Sequence, residues 1–331
     1  MSDESMTFQE LPEMDESSAF RLMNSLLLNS SDETKAAFLA ALHSRGETGA
    51  ELSGFVRALR NTATLGKIHN VMDIVGTGGD GKNTINVSTA ASFVVSSLGI
   101  RVAKHGNYGA TSNKGSGDFL RFLGYNFEMD QEELARRVND TNFAFILAPL
   151  YNANFAKFAK ARKSLPHKTV FNYLGPITNP ADPENLVLGV THEEISRLYS
   201  NFMIKNDKRG YIIYSRDGMD EISPETPSMM TIIKGSESEK IEIHPEDIIG
   251  DKIRIDEVSA TEPADSFRMT LEGISGKRRN VSRFIALNAA PALVLNGKAG
   301  EILDAYDIAM EAISSGTVSD HLDKIMGDCR R

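Results

Sequence analysis

Apolar residues recur at helical spacing from the first structured stretch of this chain. SAFRLMNSLLL, DETKAAFLAALHSRG and TGAELSGFVRALRNTA, within residues 18–64, each carry one apolar face and predict three helices. Thr48 is the expected N-cap of the third, and Gly46 and Gly49 punctuate the chain between helices. No strand-like alternation occurs before Val71. The pattern then changes. VMDIV predicts a strand, STAASFVVSSLG a helix capped by Ser88 and stopped by Gly99, and IRVAK a second strand. GSGDFLRFLGY and DQEELARRVNDTN predict helices, FAFILA a third strand, and YNANFAKFAKARKSL one further helix. LVLGV and GYIIYS, with a helix between them, add two strands. Residues 231–275 read as charged and irregular, with short strand candidates such as KIEI, and ALNAAPALVLNGKAGEILDAYDIAMEAISSG returns to helix. Strands alternating with helices imply an α/β fold around a mostly parallel central sheet.

Composition narrows the class. The chain has 331 residues, 41% hydrophobic and 24% charged, enough for one large domain or two. No apolar run approaches the roughly 20 residues that span a bilayer. The opening MSDESMTFQELPEMDESS is acidic and lacks an apolar core, so it reads as a frayed tail rather than a secretory signal. Cys329 is the only cysteine, which excludes an intrachain disulfide and a thiolate zinc cage and suits a cytoplasmic protein. Net charge is −9, and ARRV and GKRRN are only short basic patches. Nucleic acid and membrane are disfavoured as partners, whereas a small anionic substrate needs only a few placed cations.

The stretch MDIVGTGGDGKNTINVSTAASF satisfies two phosphate-binding patterns and fits the context of neither. Gly76, Gly78 and Gly81 spell the dinucleotide fingerprint, and Gly76, Gly81 and Lys82 nearly spell a P-loop, with Asn83 in place of Ser or Thr. In both motifs a helix begins within or at the end of the glycine run, whereas here a polar loop continues to Ser88. The second strand ends on Lys104 and His105, not on the acid a dinucleotide ribose needs. What survives is an anion cradle: glycines that let amides approach, followed by Asn86, Ser88 and Thr89 at a helix start.

Two further strand ends agree. VAKHGNYGATSNKGSG carries Lys104, His105, Asn107, Thr111, Ser112 and Ser116, and YSRDGMDEIS carries Asp217, Asp220 and Glu221. In a parallel sheet all three loops leave by the carboxyl edge, where ligands bind. Donors, a lysine and adjacent carboxylates on one edge suit a magnesium-chelated diphosphate. No nucleophile motif and no histidine pair at metal-ligand spacing is present in the sequence.

Together, DIVGTGGDGKNTINVSTAASF, KHGN with the following SGD, FNYLGPITNPA and DGMDEIS resemble the anthranilate phosphoribosyltransferase family, whose fold is shared with pyrimidine nucleoside phosphorylases. The similarity runs from about residue 20 to the ALNAA stretch. It implies a small all-helical domain, residues 1–68 joined by about 152–175, and a large α/β domain, residues 69–151 and 176–331. It also implies a cytoplasmic homodimer formed through the helical domain. The implied reaction displaces diphosphate from 5-phosphoribosyl 1-diphosphate by the amine of anthranilate, with two Mg2+ ions and no catalytic side chain. By position, Gly76, Gly79, Asp80, Thr84, Asn86, Val87, Ser88 and Thr89 would hold the donor. Lys104, His105, Gly106, Asn107, Tyr108, Gly109, Ala110, Thr111, Ser112 and Ser116 would join them. Ser88, Asp220 and Glu221 would ligate the metal, and Gly76, Asn107 and Arg162 would meet anthranilate.

The chain departs from the family pattern twice. Tyr108 stands where KHGNR has arginine, and Asn152 where YHP has histidine, so a weaker grip on anthranilate and heavier reliance on Arg162 are expected. Nucleoside phosphorolysis on the same fold and a non-catalytic nucleic-acid-binding relative are the alternatives. The paired carboxylates speak against the first and the negative charge against the second.

Overall fold

The computed structural model describes residues 11–61, 63–109 and 113–329. Helices α1 (Glu16–Asn29), α2 (Asp32–Arg45) and α3 (Gly49–Arg60) open it. Each start is fixed by a side chain that accepts an otherwise unpaired amide: Asp15 from Ser18, Ser31 from Thr34, and Thr48 in a reciprocal capping box with Glu51. The expected tail is therefore shorter than read, because Asp15 already starts α1. The part of that expectation on residues 1–10 lies outside the described residues. α1 and α3 cross so closely that a Cβ on Gly54 would lie 2.4 Å from the Glu16 carbonyl oxygen.

The α/β region follows: β1 (Met72–Gly76), α4 (Val87–Ser97), β2 (Val102–Gly106), α5 (Ser116–Leu123), α6 (Gln131–Thr141) and β3 (Phe143–Leu147). After it come α7 (Ala148–Tyr151), a 3-10 helix (Ala153–Phe158), α8 (Ala159–Lys163) and α9 (Phe171–Ile177). β4 (Asn185–Gly189), α10 (Glu193–Lys205) and β5 (Arg209–Ser215) complete the parallel part. Seven strands form one sheet in the order β3-β2-β1-β4-β5-β6-β7, parallel from β3 to β5, with β6 (Ser228–Lys234) and β7 (Glu237–Ile243) antiparallel.

The parallel strands are buried on both faces, and alternation divides their side chains. Val187 and Ile213 join a core with α4 and the C-terminal helices, whereas Leu186, Leu188 and Ile212 join Leu26, Phe38 and Phe55 of the helical opening. The helical layer thus shares one core with that sheet face, with α9 and α10 packed between them. The C-terminal helices are α11 (Pro245–Ile249), α12 (Pro263–Ile274), α13 (Arg279–Leu295), α14 (Ile302–Ser314) and α15 (Thr317–Asp328).

Four expectations need correction. Residues 231–275 are not irregular: they hold most of the β6–β7 hairpin, α11 and α12. β7 is an edge strand whose exposed Glu237, Ser238, Glu239 and Lys240 hide its alternation and guard the edge. The helix expected over 151–165 breaks at Asn152, whose φ/ψ of −141°/79° is not helical. α4 begins at Val87 after Asn86, so Ser88 lies inside the first turn instead of capping it. α9 and α15 were not foreseen. Among the described residues no helix is long and apolar enough to cross a membrane.

Candidate active site

Strand order reverses between β1 and β4, and Gly76 pairs with Gly189 at the carboxyl ends of these strands. Such a reversal opens a crevice. The cleft found there is lined by Gly76, Ser88, Gly189, Asp220, Glu221 and Asn288, with Ile74, Val187 and Ile213 as its apolar floor.

The loop after β5 reaches back over this crevice. A Cβ on Gly189 would lie 1.6 Å from the Asp220 carbonyl oxygen, and one on Gly76 would lie 2.2 Å from Asp220 Oδ2, so both glycines exist to admit that loop. The loop is pinned from below. Asn288 of α13 accepts from the Ile222 amide at 2.8 Å and donates to the Ile222 carbonyl at 3.1 Å. Ser223 donates its hydroxyl to Asp217 at 2.9 Å, and its amide donates to Ser215 and Ser228 at 3.0 and 3.1 Å. Asp217 thus shapes the turn, while Asp220 and Glu221 line the cleft.

The loop after β1 is built differently. Gly78, Gly79 and Gly81 all take positive φ, 68°, 74° and 75°. Gly78 donates its amide to Asp220 Oδ2 at 2.6 Å, whereas the amides of Gly79 and Gly81 have no acceptor among the described residues. Asp80 accepts from the Lys82 amide at 3.1 Å, and Thr84 donates to Glu221 Oε2 at 3.4 Å. Asn86 spends its amide group on the Lys114 carbonyl at 2.8 Å, Val87 and Thr89 are buried, and the Thr89 hydroxyl has no partner among the described residues.

Electrostatics set the site apart. Burial, then the nearby Asp80, pushes Asp220 up to about 6, and burial beside Asp220 pushes Glu221 well above the usual carboxylate range. Neither carboxylate has an ion-pair partner among the described residues. Adjacent buried acids with no direct ion-pair partner fit a divalent cation. Mg2+ needs only one or two carboxylates when phosphate and water supply the rest, so the pair suffices although no cage of three His, Cys, Asp or Glu gathers among the described residues. Ser88 lines the same cleft, and its hydroxyl accepts from Lys104 Nζ at 3.3 Å.

Lys104 is nearly fully buried behind β1, also donating to the Ile74 carbonyl, and burial lowers it to about 8. Alternation along β2 sends His105 to the opposite face. There its Nδ1 lies 3.1 Å from the Gly175 carbonyl of α9, and burial holds it neutral, near 4. The two neighbours do not converge. Gly106 lies beneath Ser116, whose Oγ would be 2.2 Å from a Cβ there. Asp118 closes the loop by accepting from Gly109 at 2.7 Å and Gly115 at 3.1 Å, and Asn107 accepts from the Tyr108 amide at 2.7 Å. Ala110, Thr111 and Ser112 lie outside the described residues.

Both departures from the family pattern are occupied structurally. The Tyr108 ring lies under the Arg121 guanidinium at 3.9 Å and edge-on to Phe127. Asn152 is buried, donates to the Leu59 carbonyl at 3.1 Å and accepts from Asn154 at 3.3 Å. Arg162 is half-buried over Phe171, 5.7 Å from its ring centroid, and has no acid partner among the described residues. Burial lowers its pKa.

Sequence reasoning missed three contributors. Asn288 and Asn179 brace the site: Asn179 donates to Asp73 at 2.9 Å and to the Ala103 carbonyl at 2.8 Å beneath β1 and β2. Lys168 reaches the Gly79 carbonyl from the segment between α8 and α9, with Nζ at 3.3 Å. The FNYLGPITNPA motif held the clue to Asn179; nothing in the sequence marks Lys168.

Comparison with known proteins agrees with this geometry. Residues 12–63 match the glycosyl transferase family helical bundle domain and residues 68–319 its a/b domain. The chain is 46% identical over 303 residues to an anthranilate phosphoribosyltransferase of Picrophilus torridus, covering 91% of this chain and 92% of that one. It is 38% identical to that of Thermoplasma acidophilum, covering 95% and 97%. Among solved structures it resembles the anthranilate phosphoribosyltransferase of Thermus thermophilus, at a TM-score of 0.89 and 29% identity over 97% of both chains. The Saccharomyces cerevisiae enzyme in complex with PRPP and Mg gives 0.85 and 25%, covering 96% and 93%.

Proposed function

The chain belongs to the anthranilate phosphoribosyltransferase family, and on that premise we propose how its cleft works. It transfers the 5-phosphoribosyl group from 5-phosphoribosyl 1-diphosphate to the amine of anthranilate, a step of tryptophan biosynthesis, and releases diphosphate. Unpaired glycine-loop amides beside two buried carboxylates with no direct ion-pair partner support this function most directly.

Gly76, Gly79, Asp80, Thr84 and Asn86 to Thr89 hold the donor, joined by Lys104, the loop beginning at Asn107, and Ser116. Free amides and the start of α4 suit phosphate oxygens. Ser88, Asp220 and Glu221 would hold Mg2+, two ions in all, and the metal charge there would offset the charge that develops on the leaving diphosphate. Lys104 supplies fixed positive charge beneath the pair, its Nζ already oriented by the Ile74 carbonyl and Ser88. Gly76, Asn107 and Arg162 receive anthranilate, with Arg162 on its carboxylate, since a guanidinium forks onto a planar carboxylate.

An aromatic amine is neutral at pH 7 and already nucleophilic. Its lone pair forms the bond to the ribose C1, the C1–O electron pair leaves with diphosphate, and the nitrogen releases its proton to water. Placement of the two substrates carries the rate, so no side chain needs to act as nucleophile. A second copy of the chain meets the helical layer to form a homodimer, where Leu28 of α1 is 73% exposed. The location is cytoplasmic, as the sequence suggests.

Loss of anthranilate fluorescence with the donor and Mg2+ tests the assignment. Turnover is expected only when all three are present. Arg162→Ala should raise KM for anthranilate roughly tenfold to thirtyfold, the scale of a half-exposed charge pair, and leave KM for the donor nearly unchanged. A purified protein that binds donor and Mg2+ but consumes no anthranilate at any concentration would assign a different acceptor.

A further inference from the structure

Lys168 is a cation whose base is fixed and whose charge is unspent. On one side His167 stacks on His43 of α2, ring centroids 3.9 Å apart, and on the other Thr169 and Val170 are buried. The Thr169 amide donates to Asn172 Oδ1 at 2.9 Å, which ties the segment to the start of α9. The backbone beneath Lys168 therefore belongs to the helical layer, while its side chain crosses to the glycine loop. Its Nζ meets only a neutral carbonyl, that of Gly79, at 3.3 Å, and no carboxylate pairs with it among the described residues. Its charge is felt by Asp220.

A neutral partner is a poor resting place for an ammonium when anionic ligands can reach it. A charge-assisted bond to a phosphoryl oxygen is roughly twice as strong as a bond to a neutral group. The Gly79 carbonyl holds Lys168 at the crest of the loop whose amides at Gly79 and Gly81 are free. Resting on the function proposed above, we infer that Lys168 is a donor-binding residue that takes the diphosphate of the phosphoribosyl donor from the helical side of the cleft. The lysine leaves the Gly79 carbonyl for a diphosphate oxygen, so that the bridge from the helical layer to the glycine loop, direct in the free protein, runs through the donor once it is bound.

Titration with inorganic diphosphate and Mg2+ tests this without requiring turnover, alongside steady-state kinetics. Lys168→Met should weaken diphosphate binding and raise KM for the donor about tenfold or more, as expected for losing a charge-assisted bond. KM for anthranilate and the melting temperature of the free protein should stay put, and Lys168→Arg should restore most of the affinity. Unchanged diphosphate binding in Lys168→Met overturns the inference, as does a change confined to melting temperature or kcat, which marks a purely structural clasp. A protein that binds diphosphate through Lys168 yet ignores anthranilate supports the inference while refuting the assigned acceptor.

Discussion

Two loops meet across the β1/β4 crevice, and they are built on opposite principles. The loop after β5, residues 215–223, is clamped: Ser215, Asp217, Ser223, Ser228 and Asn288 bond it to itself and to α13. The loop after β1, residues 77–83, has three positive-φ glycines, few internal bonds and exposed amides. The difference follows from what each must hold. Two adjacent carboxylates repel each other and lose hydration when buried, so the fold must force them into place before any ligand arrives. Backbone amides carry no net charge and stay hydrated without penalty, so the glycine loop can wait for its anion. Strain sits in the acid loop; adaptability sits in the glycine loop.

The largest expected effect separates function from fold at the strained loop. Asp220→Asn with Glu221→Gln keeps shape, and the amide oxygen that replaces Asp220 Oδ2 can still accept from Gly78. Mg2+-dependent turnover should fall by a factor of roughly a thousand or more, the scale of losing a preorganised electrostatic contact in an active site. The metal-free protein should melt at the same temperature as wild type or higher, because the mutual repulsion is gone. A clear drop in melting temperature would mean that the carboxylates support the fold, and the contrast between the loops would fail.

Gly189→Ala attacks the clamp itself. The new methyl would collide with backbone atoms of Asp220, the carbonyl oxygen at 1.6 Å and its carbon at 2.7 Å, and backbone has no rotamer to yield. Overpacking of this kind costs about 3 kcal/mol or more. Thermal unfolding should show a loss of several degrees, together with weakened Mg2+ dependence. An alanine variant that melts like wild type would show the acid loop to be as pliable as its neighbour.

How much of this contrast the sequence showed depends on the kind of information each part needs. The parallel sheet, the helical opening and the placement of three ligand loops on one edge were legible, because alternation and helical periodicity report burial directly. Asp220 and Glu221 were legible through their position after an apolar strand. The clamp was not: Asn288 acts across 66 residues of chain, and Asn179 across 106 on Asp73, distances over which no local pattern speaks. His105 shows the opposite failure. Its neighbour Lys104 lies at the site, but one step along a strand reverses a side chain, and the histidine ends against Gly175. Tyr108 and Asn152 were identified as departures at the acceptor path, yet their structural partners, Arg121 with Phe127 and Leu59 with Asn154, lay outside any motif. The β6–β7 hairpin was hidden by its own edge charges.

The smallest expected effect probes the adaptable loop and completes the comparison. Gly79 has φ of 74° and open space around its Cα: an added Cβ would come no closer than 3.5 Å to Lys168 Nζ, an ordinary contact. Alanine there meets no steric wall, only the cost of the left-handed conformation, about 1–2 kcal/mol. Where that cost is felt depends on how the loop is held. In a loop with few bonds, the substituted residue relaxes to negative φ in the free protein, and the melting temperature should hardly move. The donor then has to restore the glycine conformation to gain the amides, so the same 1–2 kcal/mol appears as a rise of roughly fivefold to thirtyfold in KM for the donor. In a loop clamped like that after β5, relaxation would be blocked and the cost would appear in thermal unfolding instead. Melting curves and donor kinetics on Gly79→Ala, set beside Gly189→Ala, therefore read the rigidity of each loop separately. Equal losses of melting temperature in the two variants would erase the distinction between them.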